Sequence, residues 1–214
     1  MTGTSRFSHI IWDWNGTLLD DVAWCIACVN AMLEKRGLPV LDSVGAYHGV
    51  FGFPVIDYYR RVGFDFDKEP FEKLAVEYIG LYHDDKNSAS LFPDARAILA
   101  AFQSRGTRQI ILSASETGNL ITQMAPFGIE AYFDEILGAA DIYAGGKSGL
   151  GKSYMERVRP ENAVLIGDTA HDSETARALG VGCVLVANGH QGKDALLRCG
   201  APVLDNLSQL LALL

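Results

Sequence analysis

No stretch of this 214-residue chain stays apolar for the roughly 18 residues that a membrane-crossing helix needs, so no membrane association is expected. Cysteine is scarce: the four, Cys25, Cys28, Cys183 and Cys199, show neither the even framework of a disulfide-stapled domain nor paired zinc spacing. Cys25 and Cys28 are close together in the apolar segment WCIACV with no second Cys/His pair nearby, and read as small buried hydrophobes on a helix. Positive charge is also short, with 18 Lys and Arg against 26 Asp and Glu. The resulting net charge of −8 argues against a general binder of nucleic acid or anionic membrane. The opening residues MTGTSRFSH lack the apolar centre of a secretory signal, so a cytoplasmic location is expected. Internal repeats and low-complexity tracts are missing too, and nothing specifies an oligomeric state.

What is present is an ordinary globular composition, 49% hydrophobic and 21% charged, arranged in two textures. Phe7–Asp13, Arg108–Ser115, Ala163–Asp168 and Gly182–Gly189 are short, solidly apolar runs, with Phe133–Ala139 a weaker fifth. Continuous rather than alternating apolarity predicts strands covered on both faces, as in a parallel sheet. Helical patterns alternate with them, among them Asp94–Gly106 and His171–Gly180, each closed by a C-capping glycine. Together these predict an α/β fold with a Rossmann-like open parallel sheet. Residues 22 to 90 differ: three or more helix-like stretches and no convincing strand, over a span of about 70 residues that is too long for a loop. This is expected to be an all-helical cap inserted after the first strand, giving a core of residues 1–20 and 91–214 and a cap of residues 21–90. KNSASLFPD is the expected hinge on the return, and YHGVFGFP, Tyr47–Pro54, the expected cap loop.

Polar residues at the strand ends carry the chemistry. In an open parallel sheet the carboxyl ends of the strands converge on one crevice. Asp13 ends the first strand, Ser113 closes the IILS run, Asp168 ends AVLIGD, and Asp172 follows four residues later. Carboxylates crowded at one edge repel one another unless a cation sits among them, and a set of hard oxygen ligands suits Mg²⁺. Turn and helix-capping chemistry accounts for any one of these aspartates but poorly for the three together. Asp20 and Asp21 read as first-turn acids of the next helix. Gly16 and Thr17 offer backbone N–H groups and a hydroxyl to a phosphate, Ser113 another hydroxyl, and a lysine from GGKSGLGKS, Lys147 or Lys152, would neutralise charge. Gly146, Gly151, Lys152 and Ser153 also fit a P-loop pattern, but the preceding ADIYAG makes a poor strand.

The ordered set Asp13-Trp14-Asn15-Gly16-Thr17-Leu18, Ser113, a lysine, and Gly167-Asp168 with Asp172 resembles the four motifs of haloacid dehalogenase-like hydrolases. The likeness is strongest to the phosphoglycolate phosphatase-like branch and runs from Phe7 to near Leu207. It implies a Mg²⁺-dependent phosphatase acting on a small phosphorylated metabolite through an aspartyl-phosphate. Asp13 would be the nucleophile, and Asp13, Asp168 and the carbonyl of Asn15 would hold the metal, with Asp172 as ligand or support. Ser113 would bind a phosphoryl oxygen. The lysine maps to Lys147, judged by its distance from ILGAAD, or to Lys152; the usual Lys-Pro is missing. His48, Gly49 and Phe51 are the candidate cap residues facing substrate. Related dehalogenases need no metal-binding aspartate pair, and a Schiff-base role for Lys35 competes with a plain helix terminus in EKRG.

One departure stands out. Phosphatases of this family usually carry an aspartate where this chain has Asn15, and that aspartate gives a proton to the leaving group and then activates water. An amide has no titratable proton in the useful range. Such assistance is typically worth roughly 10²–10⁴ in rate. The resemblance therefore implies slow or atypical turnover, a good leaving group, or an acid/base from elsewhere, with His48, His83 and His171 as candidates; the alternative is an impaired phospho-ligand-binding or phosphoryl-transfer protein. On this reading, Asn15→Asp should raise turnover of alkyl phosphates.

Overall fold

The computed structural model describes residues 7–84, 89–143 and 147–213. Six parallel strands form the main sheet: β1 (His9–Trp12), β4 (Arg108–Glu116), β5 (Glu135–Ala139), β6 (Ala163–Gly167), β7 (Gly182–Val186) and β8 (Val203–Leu204). Their order is β5-β4-β1-β6-β7-β8. The sheet therefore reverses its winding direction at β1, with β4 on one side and β6 on the other. Ligand crevices form at such a switch point, at the carboxyl ends of the strands.

Both faces of the sheet are covered, which is why the strands read as unbroken apolar runs. One face buries Ile10, Trp12, Ile111, Val164 and Ile166 with α5 (Ala95–Ser104) and α6 (Thr117–Met124). The other buries Ile11, Ile110, Leu112 and Leu165 against α7 (Ser148–Val158) and α8 (Ala170–Leu179). The C-terminal α10 (Leu210–Leu213) follows Leu207, and Leu207 and Leu210 join the first of these clusters. A short α9 (Lys193–Leu197) lies between β7 and β8.

Between Asp20 and Ser90 the described residues make four helices: α1 (Val22–Glu34), α2 (Val44–Val50), α3 (Val55–Arg61) and α4 (Phe71–Tyr82). They share a separate apolar cluster around Val29, Met32, Leu33, Tyr47, Tyr58, Tyr59 and Leu74. Arg36 ties the ends of this cluster together through Glu69 and Glu77. Cys25 and Cys28 are buried with Tyr82, as small apolar side chains on α1 would be. The chain leaves and re-enters the sheet domain through a two-stranded antiparallel ribbon, β2 (Leu19–Asp20) with β3 (Ser90–Leu91). Residues 86–88 of the expected hinge, and Gly145 and Gly146 of the glycine-rich segment, lie outside the described residues. No helix among the described residues is long and apolar enough to cross a membrane.

YHGVFGFP is not a loop throughout. Its first four residues complete α2, whose first turn is capped by the Ser43 hydroxyl accepting from the Ala46 N–H. Two glycines weaken a helix in isolation. Burial of Tyr47, 1% exposed, outweighs that preference.

Candidate active site

The strand ends bring together the residues that the carboxyl-edge argument selects. Asp13 follows β1 and Asp168 follows β6, while Asp172 lies in the first turn of α8; a carboxylate oxygen of each lies within 4.8 Å of the others. All three are buried, Asp168 completely. Lys147, the residue before α7, is also buried, and its ammonium bridges Asp13 Oδ1 and Asp172 Oδ1, 2.6 Å from the latter. Ser113 is buried in β4 and lines the same cavity. Lys152 is exposed on α7, with Gly151 and Ser153 inside the same helix. A P-loop needs that glycine and lysine in the turn that opens a helix, so the nucleotide-loop match has no structural counterpart there.

The electrostatics follow from burial. Burial pushes the Asp13 carboxyl up to about 6 against the pull of Lys147, and carries Asp168 well above the ordinary carboxylate range. Asp172 is also buried, but Lys147 and the N–H and hydroxyl of Thr169 more than offset this and hold it low. Asp172 Oδ2 accepts from Asp168 N, Thr169 N and Thr169 Oγ1, which closes the capping box of α8. Burial opposes the Lys147 ammonium, yet Asp13 and Asp172 keep it firmly protonated.

Gly16 and Thr17 do something other than present a phosphate cradle. The Gly16 N–H donates to Leu19 O and to Asp21 Oδ1. The Thr17 hydroxyl lies 3.0 Å from Asp168 Oδ1 and 3.3 Å from Asp13 Oδ2, so it orients the carboxylates. Gly16 has φ of +72°, and a Cβ there would collide with the Asp168 carboxylate and the His190 ring. Gly189 is similarly required, since a side chain would strike Asp168 and the Gly16 carbonyl.

A second buried cluster, missed from sequence, adjoins the first. Asp21 is not a helix-capping acid: its side chain makes no cap bond to α1. It turns back to accept from Asn15 Nδ2 at 2.8 Å, Tyr82 Oη at 2.7 Å and Gly16 N at 3.0 Å, and pairs with His190 Nε2 at 3.2 Å. His190 Nδ1 lies 2.9 Å from Tyr47 Oη, and its backbone N–H donates to Asp168 Oδ2 at 2.5 Å. Burial disfavours the imidazolium, but Asp21, then Asp168 and Asp13, raise its pKa to about 9. Asp21 is held low for the matching reason, His190 outweighing burial. One signal was available: β7 is a strand of the same sheet, and His190 follows it in ANGH as Asp168 follows β6.

Asn15 sits between the clusters. Its oxygen accepts from Ser115 Oγ at 2.8 Å, and its nitrogen donates to Asp21. Four buried carboxyl groups, Asp13, Asp21, Asp168 and Asp172, face only two cations, Lys147 and protonated His190. Asp13 and Asp168, whose carboxyls burial pushes up, are the two left short of positive charge, at hard oxygen atoms close together. That donor set fits a divalent cation.

Of the expected cap residues only Phe51 lines the cavity. His48 instead donates from Nε2 to the Gly189 carbonyl at 3.0 Å, and Gly49 is exposed on α2. Tyr47, between α2 and His190, takes the place expected of His48. His171 lines the cavity and stacks on Phe53, ring centroids 4.5 Å apart. Lys35 pairs with Glu77 on the surface, as a helix terminus would.

The model of one family, described as haloacid dehalogenase-like hydrolase, matches residues 10–186. A phosphoglycolate phosphatase of Cupriavidus necator is 30% identical over 96% of this chain and 92% of its own. The tyrosine-protein kinase PtkA of Mycobacterium tuberculosis is 27% identical over 92% of this chain and 68% of its own. Among solved structures, a haloacid dehalogenase-like hydrolase from Streptococcus pneumoniae superposes with a TM-score of 0.82 over 97% of this chain and 98% of that one, at 23% identity.

Proposed function

The chain belongs to the haloacid dehalogenase-like hydrolase family, and on that premise we propose that it is a phosphoric monoester hydrolase that works through a phosphoryl group carried on Asp13. The observation that carries this reading is the buried Lys147 bridge between Asp13 and Asp172, with Asp168 beside it at the switch point of the sheet. An Asp13 carboxylate oxygen attacks phosphorus, a new P–O bond forms, and the ester P–O bond breaks with its electron pair on the leaving oxygen. Water then attacks the same phosphorus, the bond to Asp13 breaks, and the carboxylate returns as inorganic phosphate leaves. Lys147 offsets charge on the attacking carboxylate and the transferring group. Ser113 donates to a phosphoryl oxygen, and Thr17 fixes the carboxylates of Asp13 and Asp168.

Asp13, Asp168 and the backbone carbonyl of Asn15 are the residues that would hold Mg²⁺. Bound there, it would supply charge neutralisation at the phosphoryl oxygens. Both oxygens of Asp172 are already committed to Lys147 and to the start of α8, which favours a positioning role for it. Residues 21–90 act as a cap over a core of residues 1–20 and 91–214, with the β2–β3 ribbon as the connection.

Release of phosphate from acetyl phosphate and p-nitrophenyl phosphate should require Mg²⁺ and stop in Asp13→Asn. Undiminished labelling of Asp13→Asn by substrate phosphate would move the nucleophile elsewhere. A second reading is favoured by Asn15 and by the likeness to PtkA: the phosphoryl group persists on Asp13 and passes to an acceptor other than water. A single-turnover measurement separates the two, since a hydrolase releases phosphate without an added acceptor.

A further inference from the structure

The cavity above Asp13 is far more apolar than a phosphate site requires. It measures about 170 Å³, below the roughly 300 Å³ at which drug-sized ligand sites begin. A cavity of about 150 Å³ already takes up benzene. Away from the carboxylates its walls are aromatic and aliphatic: Phe51 and Phe53 before α3, Tyr59 on α3, and Phe71, Tyr78 and Ile79 on α4. Tyr59 and Phe71 meet edge to face, ring centroids 5.4 Å apart, which packs these walls against each other.

Charge on these walls points the same way. Among the described residues no arginine lines the cavity, and its one lysine, Lys147, belongs to the phosphate end. His190 is committed to Asp21, and the His171 ring is stacked on Phe53. The carboxyl groups on the wall outside the Asp13, Asp168 and Asp172 cluster, Asp21 and Glu116, add no positive charge. A substrate with a second anion, such as the carboxylate of phosphoglycolate, would be desolvated there with no cation to meet it.

The chemistry of residue 15 is an independent observation. The Asn15 amide is pinned between Ser115 and Asp21 and has no proton to give the departing oxygen. The ester must therefore release a group stable as its own anion. A phenol, with a pKa of about 10, meets that condition; an alcohol, closer to the 15.7 of water, does not.

We infer that the substrate is a small aryl phosphate: a single aromatic ring, esterified through a phenolic oxygen and carrying no second anionic group, held among the rings of α3 and α4. This rests on the phosphatase reading above. In the first step the P–O(aryl) bond breaks, its electron pair leaves on the phenolate, and the new bond is to Asp13; the phenolate then takes a proton from solvent. The ring supplies the binding energy, and the phenolic oxygen makes the missing acid unnecessary.

The test compares kcat/KM with Mg²⁺ for phenyl phosphate, benzyl phosphate, phosphoglycolate and acetyl phosphate. Phenyl phosphate should exceed phosphoglycolate by at least about 100-fold. Benzyl phosphate keeps the ring but leaves as an alkoxide; it should compete with phenyl phosphate at similar concentration while turning over at least about 10-fold more slowly. Phosphoglycolate equal to or better than phenyl phosphate overturns the inference, as does benzyl phosphate turning over as fast as phenyl phosphate. Hydrolysis of acetyl phosphate with none of phenyl phosphate overturns it while leaving the phosphatase reading intact. Failure with all four substrates overturns both. As a second measurement, Ile79→Arg places a cation in the wall and should shift the ratio of phosphoglycolate to phenyl phosphate by about 10-fold or more toward phosphoglycolate. A ratio measured on one protein does not depend on the fraction folded, and an unchanged ratio counts against the proposed ring site.

Discussion

Replacing Asn15 with aspartate sets a carboxylate where an amide now donates to Asp21. The Asn15 Nδ2 and Asp21 Oδ2 atoms are 2.8 Å apart. Two carboxylate oxygens at that spacing repel by about 6 kcal/mol at an effective dielectric constant of about 20. At 1.36 kcal/mol per pKa unit, this lifts the proton affinity of the pair by about 4 units, from about 3.9 to about 8. The pair therefore holds one shared proton at pH 7, and the new residue does not serve as a freely titrating acid. Because the folded-state pKa is raised above the unfolded one, the variant matches its parent below about pH 4 and loses stability as pH rises toward about 8, by about 2–4 kcal/mol at pH 7. Turnover of an alkyl phosphate should change less than about 3-fold, against the roughly 10²–10⁴ expected of a working general acid. In Asn15→Asp/Asp21→Asn the single negative charge moves to residue 15, where it accepts from the new amide. That variant should gain about 100-fold on glycerol 1-phosphate, while losing the Asp21–His190 pair keeps its stability below the parent's. Urea unfolding between pH 4.5 and 8, with rates on the same preparations, makes the comparison. A single Asn15→Asp variant with wild-type stability at every pH and a 100-fold gain would refute the reasoning.

Lys147→Met leaves Asp13 and Asp172 facing each other without their shared cation, which should cost about 3–5 kcal/mol of stability and about 1,000-fold or more in phosphate release. Lys152→Met, at an exposed position on α7, should stay within about 2-fold in both assays; the reverse pattern would reassign the lysine. His190 contributes stability through a pKa raised to about 9. That contribution is complete below the unfolded value of about 6.5 and disappears as pH rises through about 9, an effect on the order of 3 kcal/mol. Unfolding at pH 6 and pH 10 should show this fall in the parent and not in His190→Gln, and an equal fall in both would place the linkage on another group.

The legible part of this protein is the part organised by the sheet. Asp13, Ser113 and Asp168 each interrupt an apolar run that can only be a buried strand, and parallel strands bring such interruptions to one edge whatever the loops between them do. Lys147 and Lys152 could not be separated in this way, because both lie in one glycine-rich segment and only the start of α7 decides which of them turns inward. The YHGVFGFP stretch was misread as a loop because helix propensity is local, whereas burial of Tyr47 against His190 is not. The second cluster was the least legible. Asp21, Tyr47, Tyr82 and His190 come from four segments, and they meet only where α1, α2 and α4 dock on the sheet domain. Its existence changes the meaning of the one irregular motif residue. Read alone, Asn15 is a lost acid. Beside Asp21 it is the neutral member of a pair that tolerates a single negative charge, and that charge sits at residue 21, where it holds His190 and Tyr82 and so fixes the cap helices against the catalytic edge. A carboxylate at residue 15 would disturb this anchor, so on the mechanism proposed above the amide keeps the anchor and offers the leaving group no proton. Substrates compatible with that exchange are those whose leaving oxygen needs no proton.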